Sequence, residues 1–349
     1  MSDLPPLKTR ILIMGLSSLI TAVLCEGLVR LADGNATPMI RLFEQASSGE
    51  IGLVPDGHAR IAAPVGDPWE INTDSSGRRK SQTPLSSHAW IAVGDSQVMG
   101  NGVADSLPFP ALLKLDGEPA HNLGVPGFGV ADGLWAATRH LDANPAKGVV
   151  VIVNQMNDWE EVNAPVGERY KVRGGWLLET KDADGPRGTF LASPLSRSHL
   201  FFLIGHLILK DWDPPAPQAP RWMTDPVAER PTTLRMAQAI VEFAASHPQT
   251  RVVPVYLPAD VYATEQRAQE SPLTPHLDSL DIPPWEDLRL ADQVLTTLAS
   301  LDPIDLTPAL HSRGHFLEGD YHLSESGHRA VAEAINAAVG SVPMTEEAD

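Results

Sequence analysis

The stretch Trp90-Ile91-Ala92-Val93-Gly94-Asp95-Ser96-Gln97-Val98-Met99-Gly100 places a serine where an apolar strand runs into a turn flanked by glycines. Glycine permits a tight turn and lets another molecule approach the backbone closely, and Asp95 can hydrogen-bond within the turn. Ser96 is therefore a candidate nucleophile. Because Gly-Asp-Ser is also common in ordinary turns, this interpretation depends on the rest of the chain.

Three further polar blocks each follow an apolar run that is typical of a strand. They are His121-Asn122-Leu123-Gly124-Val125-Pro126-Gly127, Val153-Asn154-Gln155-Met156-Asn157-Asp158 and Gly319-Asp320-Tyr321-His322-Leu323-Ser324-Glu325-Ser326-Gly327-His328. The serine block and the next two are separated by roughly 30 residues, the length of one strand plus one helix. In a parallel sheet this spacing brings the blocks to one edge, where open α/β sheets bind their ligands.

We therefore expect an α/β fold, a three-layer α/β/α sandwich around a central, mostly parallel sheet, preceded by a hydrophobic N-terminal helix. The predicted core strands are His88–Val93, Ala120–Leu123, Gly148–Val153 and Arg251–Leu257. The predicted helices are Pro108–Leu115, Gly133–Leu141, Thr232–Ser246, Trp285–Leu301 and Ser324–Val339.

The four blocks resemble those of the SGNH/GDSL hydrolases, in which Ser, Gly, Asn and His follow one another in this order. The resemblance covers roughly Ser87 to Val339 and is specific at the four blocks. It implies that Ser96 is the nucleophile, that Gly127 and Asn157 are oxyanion donors, and that His322 is the general base with Asp320 as its acid partner.

Two positions depart from the family pattern. The usual Gly-x-Asn-Asp is replaced by Gln155-Met156-Asn157-Asp158, and the usual Asp-x-x-His is shortened to Asp320-Tyr321-His322. The shorter spacing also resembles alginate-acetylating proteins, which brings acyl transfer into consideration. Asp95 and Asp158 are predicted to support the site from the adjoining positions.

The chemistry of these residue types agrees with the resemblance. A serine hydroxyl is a poor nucleophile near neutral pH unless a base lies within about 3 Å, and a neutral His322 can be that base. Asp320 would fix the tautomer of the ring and stabilise the imidazolium formed during attack. The Ser96 and Gly127 amides and the Asn157 carboxamide would stabilise the oxyanion, by roughly 3 to 4 kcal/mol each in comparable cases.

Each residue also has an ordinary structural interpretation. Asn157-Asp158 can end a strand, Gly127 can be a turn glycine after Pro126, and His322 can be a loop histidine. Their occurrence in one order, each behind a strand, favours the catalytic interpretation. The alternative is a degenerate binding domain that has kept the fold.

The N-terminal region contains a hydrophobic stretch, Ile11–Cys25, which has no charged residue and is preceded by Lys8 and Arg10. A span of about 20 residues would have to continue past Glu26 and Arg30. We expect a signal-anchor; a cleaved signal peptide is the alternative, although no small-x-small site precedes Glu26. The basic residues favour a cytoplasmic N-terminus, and hence a single-pass protein of a bacterial inner membrane whose domain faces the periplasm.

Composition excludes several classes of function. The 349 residues include 26 basic and 44 acidic side chains, and a net charge of −18 opposes binding to nucleic acid. The single cysteine rules out an internal disulfide framework. His311, His315, His322 and His328 invite comparison with a zinc site, but no cysteine is available and His322 has a better-supported role. We expect no metal and no cofactor.

The chain divides into four predicted parts, with one insertion. They are the anchor at 1–31, a lead-in at 32–86 that packs on the domain, the domain at 87–341 with an insertion or lid at 159–231, and a tail at 342–349. The insertion contains four tryptophans, which more often pack than stack on sugars. Its apolar run Leu200–Leu209 is too short to cross a bilayer, so we expect a helix buried against the domain, with a helix lying on the membrane as the alternative.

The preferred function is an ester hydrolase acting on an acylated carbohydrate or lipid at the cell envelope. The alternatives are an O-acyltransferase that modifies an envelope polysaccharide, a catalytically silent glycan-binding module, and an interaction protein that has kept the fold. Hydrolase and transferase differ only in whether water or a sugar hydroxyl intercepts the acyl-serine. The sequence identifies no protein partner.

Overall fold

The N-terminal hydrophobic segment forms one continuous helix, α1, from Leu7 to Ala32. The computed structural model describes residues 6–32, 34–63, 67–81, 85–86, 88–158, 164–208, 226–263, 290–312 and 314–340. Helix α1 is long and apolar enough to cross a membrane by its length and composition. None of its 26 residues is buried. Glu26 and Arg30, the charges that interrupt the apolar pattern, form an ion pair at 2.6 Å within the helix.

The lead-in forms two antiparallel hairpins. Their strands are β1 (Phe43–Gln45), β2 (Ile51–Leu53), β3 (His58–Ile61) and β4 (Trp69–Asn72). Buried side chains of these strands, including Ile51 and Ile71, share one apolar cluster with Met99 and Phe128 of the following region. The lead-in therefore packs directly on the segment that contains Ser96.

The first half of the central α/β unit alternates strands and helices. Its elements are β5 (Ile91–Val93), α2 (Ser96–Met99), α3 (Phe109–Leu112), β6 (His121–Asn122), α4 (Val130–Ala143) and β7 (Gly148–Asn154). Helix α3 is shorter than predicted, because Leu113 adopts an extended conformation at φ −60° and ψ 150°. Helix α4 begins three residues before the predicted start, where the Asp132 carboxylate accepts the Gly129 N–H at 3.0 Å.

A segment of mixed structure then interrupts the alternation. It contains α5 (Val166–Arg169), β8 (Tyr170–Arg173), β9 (Trp176–Glu179), α6 (Thr180–Ala183), α7 (Pro186–Ala192) and α8 (His199–Ile208). Strands β8 and β9 form an antiparallel hairpin. Trp176 is fully buried, so this tryptophan serves packing. Trp159, Trp212 and Trp222 lie outside the described residues.

The second half completes the α/β unit. Its elements are α9 (Pro226–Ser246), β10 (Arg251–Leu257), α10 (Asp260–Ala263), α11 (Leu290–Thr297), β11 (Ile304–Asp305) and α12 (Glu325–Gly340). The two-residue strand β11 was not predicted, since it is too short to produce a hydrophobic pattern. The first five residues of the predicted helix Trp285–Leu301 lie outside the described residues.

Five described strands form one parallel sheet in the order β11-β10-β7-β5-β6. Side chains alternate between its two faces: Val151 packs toward the cluster that includes Leu134 of α4 and Ile240 of α9, whereas Ile152 packs toward the cluster that includes Ile335 of α12. Helices thus cover both faces, and the predicted three-layer α/β/α fold is confirmed.

The prediction for the apolar run near residue 200 was wrong in one respect. Helix α8 is not buried against the domain: Phe201, Leu203 and Ile204 are each more than one third exposed. Only its other side packs inward, where the ring of Phe202 lies 5.5 Å from that of Trp176. The helix therefore has one apolar face without a protein cover among the described residues.

Candidate active site

Ser96 is the first residue of α2, directly after strand β5 and the turn at Gly94 and Asp95. Gly94 has φ +153°, and a Cβ there would lie 2.6 Å from a methyl group of Val98, so the turn requires glycine. The Asp95 carboxylate caps the helix by accepting the Gln97 N–H at 2.9 Å. Because Ser96 occupies the first turn, its own N–H is one that a helix leaves without an intrahelical acceptor.

The loop before α12 brings an imidazole to Ser96. His322 Nε2 lies 2.8 Å from Ser96 Oγ, and His322 Nδ1 lies 2.8 Å from Asp320 Oδ1. The same carboxylate oxygen accepts the His322 backbone N–H at 3.2 Å, so the two-residue spacing closes a compact turn. Burial raises the pKa of Asp320, but the hydrogen bonds and charge of His322 outweigh it, and the pKa is lowered overall. Asp320 therefore remains an anion beside the ring.

Gln97, which was not predicted to take part in the site, holds this loop in place. The Gln97 side chain is buried; its Nε2 donates to Tyr321 O at 3.0 Å and its Oε1 accepts the Leu323 N–H at 3.0 Å. Gln97 thus binds the backbone on both sides of His322. A polar residue inside the apolar block after the nucleophile was the available signal, because such a group must find partners when it is buried.

The two predicted oxyanion residues line the same cleft as Ser96 and His322. Gly127 has φ +83°, in the left-handed region that favours glycine. The Asn157 side chain hydrogen-bonds to Asp95. An amide NH₂ has two hydrogens and can donate to two acceptors.

Asp95 is the common partner of the polar groups under Ser96. It is completely buried, which raises its pKa, although hydrogen bonds from Asn154, the Gln97 N–H and Asn157, together with the charge of His322, oppose this shift. Asn154 Nδ2 donates to Asp95 Oδ2 at 2.7 Å. Asn154 was not predicted to take part, although it lies in the block that contains Asn157.

The departure from the family pattern at Gln155 has a local explanation. Its Oε1 accepts the Tyr256 hydroxyl at 2.5 Å and the Ala259 N–H at 3.1 Å, so the side chain joins the ends of β7 and β10. Asp158 Oδ2 accepts the Asn154 N–H at 2.6 Å, which closes the turn that contains Asn157. A glycine at position 155 could not make the first two bonds.

The cleft above Ser96 has a volume of about 480 Å³. Three parts of the chain line it: the loops after the parallel strands, the lead-in through Ile40 and Trp69, and the β8–β9 hairpin through Tyr170 and Leu177. The lead-in was predicted only to pack on the domain, and it also forms a wall of the cleft. The described lining residues include acidic side chains but no Lys or Arg.

A buried arginine joins the lead-in to the end of α2. The Arg79 guanidinium donates to Met99 O at 2.9 Å, to the carbonyls of Gly100 and Val103, and to Asp105 Oδ1 at 3.0 Å. Burial lowers the pKa of Arg79 to about 10, despite the opposing charge of Asp105, so it remains a cation at neutral pH. Its backbone also bridges to Asn122 of β6.

His311 and His315 of the C-terminal region have separate hydrogen-bond partners. His311 Nδ1 is 2.9 Å from Ala263 O, and His315 Nε2 is 2.5 Å from Ser312 Oγ. Within the ranges that the structure describes, no group of three or more His, Cys, Asp or Glu side chains is placed to hold a metal ion.

Comparison with known proteins adds little to this geometry. No protein-family model and no curated protein matches the chain. Among solved structures, the chain is similar to LAE5, an alpha/beta hydrolase enzyme from the metagenome of Lake Arreo in Spain, at 12% identity over 74% of this chain and 97% of that chain, with a TM-score of 0.36. It is also similar to a mutant of Axe2, an acetyl-xylooligosaccharide esterase from Geobacillus, at 15% identity over 73% of this chain and 95% of that chain, with a TM-score of 0.34. Similarities at this level do not extend to function.

Proposed function

We propose that the protein is a serine ester hydrolase of the SGNH/GDSL type that acts through an acyl-serine intermediate. The observation that supports this most directly is the chain of contacts from Asp320 to His322 to Ser96, with both links at 2.8 Å. A hydroxyl, an imidazole and a carboxylate in this arrangement form an activated nucleophile. His322 is buried, whereas Ser96 is partly exposed in a cleft that a substrate can enter.

In the proposed reaction, Ser96 Oγ attacks the ester carbonyl while His322 Nε2 takes the hydroxyl proton. The carbonyl oxygen becomes an anion near the N–H groups of Ser96 and Gly127 and the Asn157 carboxamide, which stabilise it. Collapse of this intermediate breaks the ester C–O bond, and the imidazolium returns its proton to the leaving alcohol. Water then attacks the acyl-serine by the same route and releases a carboxylic acid.

The cleft supports a substrate that is neutral around its ester group. Its volume of about 480 Å³ is within the usual range for small-molecule sites and larger than a short acyl group needs. Its described lining includes the carboxylates of Asp67 and Glu318 and no Lys or Arg. We therefore propose an acylated carbohydrate or a neutral lipid ester as the substrate class. With α1 as an anchor, such a substrate would lie at the cell envelope.

An O-acyltransferase is a second candidate. The same acyl-serine could pass its acyl group to a sugar hydroxyl rather than to water, and the cleft has room for an acceptor because both the lead-in and the β8–β9 hairpin extend its walls. The short Asp320-Tyr321-His322 spacing also favours a transferase. Product analysis with an aryl acetate and a candidate oligosaccharide separates the two: a hydrolase yields acetate alone, and a transferase yields the acetylated sugar.

The experiment that tests the proposed function is labelling of the full-length protein, in detergent micelles, with a fluorophosphonate probe. We expect the wild type to be labelled and Ser96→Ala to be unlabelled. Ser312→Ala is the matched control and should be labelled like the wild type. Ser312 Oγ also contacts an imidazole, that of His315, at 2.5 Å, but the other nitrogen of this ring lies 3.3 Å from Ser326 Oγ rather than beside a carboxylate. A folded wild-type protein that stays unlabelled would contradict the proposal and favour a binding module.

A further inference from the structure

Helix α8 presents a contiguous apolar face that the described protein does not cover. Phe201, Leu203 and Ile204 are 40%, 42% and 37% exposed. The sequence of α8, HLFFLIGHLI, contains no Asp, Glu, Lys or Arg. Single exposed apolar residues are common on soluble proteins, but a run of large ones on one helix indicates a surface that contacts something else.

The start of α8 is bound to helix α1. The Glu26 carboxylate accepts the Ser198 hydroxyl at 2.6 Å, the Leu200 N–H at 2.8 Å and the His199 N–H at 3.1 Å. The first N–H groups of a helix have no intrahelical acceptor, and a carboxylate there satisfies them and interacts favourably with the helix dipole. Glu26 therefore fixes where α8 begins relative to α1.

A second link reinforces this junction. Arg30, one turn after Glu26, pairs with its carboxylate at 2.6 Å and donates to Arg197 O at 2.8 Å. Cys25, Glu26, Val29 and Arg30 are the half-buried residues in this part of α1, whereas its preceding apolar residues are exposed. The contact with α8 thus begins at the end of the uncharged run Ile11–Cys25 and lies mostly beyond it.

These positions define the level of α8 relative to a bilayer. If α1 crosses a membrane, its hydrocarbon segment ends near Glu26, so α8 begins where α1 leaves the hydrocarbon. With ten residues, α8 is about 15 Å long, half the thickness of the hydrocarbon core. It is therefore too short to cross the hydrocarbon core.

We propose that α8 is an interfacial helix, with Phe201, Leu203 and Ile204 immersed in the same bilayer that α1 crosses. The proposal rests on α1 acting as a membrane anchor. Its binding would come from apolar burial, because α8 has no Lys or Arg and the net charge of −18 is unfavourable near anionic lipids. A second contact with the membrane restricts the rotation of the domain about α1, and the cleft is then held in one orientation.

Fluorescence quenching in vesicles tests this placement. The full-length protein, with its only cysteine replaced by Cys25→Ser, receives one new cysteine and an environment-sensitive nitrobenzoxadiazole label. The test site is Leu203→Cys, which is tolerated because the side chain is exposed. Leu19→Cys in α1 is the positive control, and Glu333→Cys on the exposed side of α12 is the negative control. Vesicles of phosphatidylcholine contain a nitroxide lipid labelled either near the headgroup or near the chain end.

We expect blue-shifted emission at position 203 and quenching that is stronger with the shallow nitroxide, because interfacial helices lie about 5–10 Å into the headgroup–acyl boundary. Aqueous emission at 203 while position 19 is quenched would overturn the proposal and leave the anchor intact. Blue-shifted emission without quenching would also overturn it, since a second copy of the protein would then cover the face. Loss of quenching at position 19 would remove the anchor and the proposal together. None of these outcomes depends on esterase activity.

Discussion

The Gln97 carboxamide oxygen accepts the backbone N–H of Leu323 at 3.0 Å, across 226 positions of the chain. The nitrogen of the same carboxamide binds the residue before His322, so one side chain adjacent to the nucleophile sets the position of the base. The nucleophile turn and the histidine loop are thereby coupled directly.

Gln97→Ala should lower kcat for aryl ester hydrolysis by about 10²-fold, because a displacement of about 1 Å is enough to cost that factor in a positioned catalytic group. KM should change little, since Gln97 does not line the cleft. Steady-state kinetics on a short-chain aryl ester measure both constants. Gln238→Ala, at an exposed position of α9, is the control. An unchanged kcat for a folded Gln97→Ala protein would show that the histidine loop keeps its position without the two Gln97 hydrogen bonds.

Arg79→Met should destabilise the protein by about 3 to 5 kcal/mol, because removing one partner of a buried ion pair leaves the other unpaired. The partner is Asp105, and four backbone carbonyls, including that of Glu70, lose this donor at the same time. Arg79→Lys should restore only part of this loss, because an ammonium cannot reproduce the planar fork of donors. Urea unfolding in detergent measures both values. Arg78→Lys, at the more exposed neighbour, should cost little.

The sequence predicted those site residues that directly follow an apolar strand pattern, because the strand fixes where the next residue lies in the sheet. The apolar runs before Ser96 and Asn157 form adjacent parallel strands, so the two residues had to reach the same edge of the sheet. The contacts of Gln97 and Arg79 could not be predicted, because each joins segments that no periodicity relates. The wall that the lead-in contributes to the cleft was missed for the same reason.

The exposed face of α8 shows a different limit of sequence reasoning. A short apolar run has the same composition whether it enters a core or a lipid surface, and only the position of its neighbours distinguishes the two. Here Glu26 binds the start of α8 to α1, and Phe201, Leu203 and Ile204 stay exposed. In the sequence Glu26 only interrupts a hydrophobic stretch.

Acidification should destabilise the protein through His328. Burial lowers the pKa of this ring to about 3, with the charges of Arg79 and His322 acting in the same direction, and its Nδ1 accepts the Phe109 N–H at 3.2 Å. In the unfolded chain this histidine has a pKa near 6.5 and takes up a proton as the pH falls, whereas in the folded chain it stays neutral. The free energy of unfolding therefore falls as the pH drops below about 6.5. At pH 5 the loss is about 2 kcal/mol relative to neutral pH.

His328→Gln should remove this part of the pH dependence, because its carboxamide oxygen can accept the same N–H but does not titrate. Urea unfolding at pH 7 and at pH 5 gives the difference for each protein, so any uniform cost of the substitution cancels. His140, whose pKa burial lowers to about 4, leaves a residual slope in the variant. Equal slopes in the wild type and the variant would mean that His328 takes up a proton in the folded state.

Gly127→Ala and Gly117→Ala form a matched pair that separates backbone strain from crowding of the cleft. Both glycines have left-handed backbones, with φ +83° and +86°, so each alanine should cost about 1–2 kcal/mol of stability. A Cβ at position 127 would lie 3.2 Å from both Tyr170 and Leu177, whereas one at position 117 would meet nothing within 4 Å. Only Gly127→Ala should therefore displace its amide from the oxyanion position, with a fall in kcat of about 10²-fold. Unfolding curves and ester hydrolysis measured on the same preparations give both quantities. If both variants lose stability equally and both keep full activity, the Gly127 amide is not an oxyanion donor.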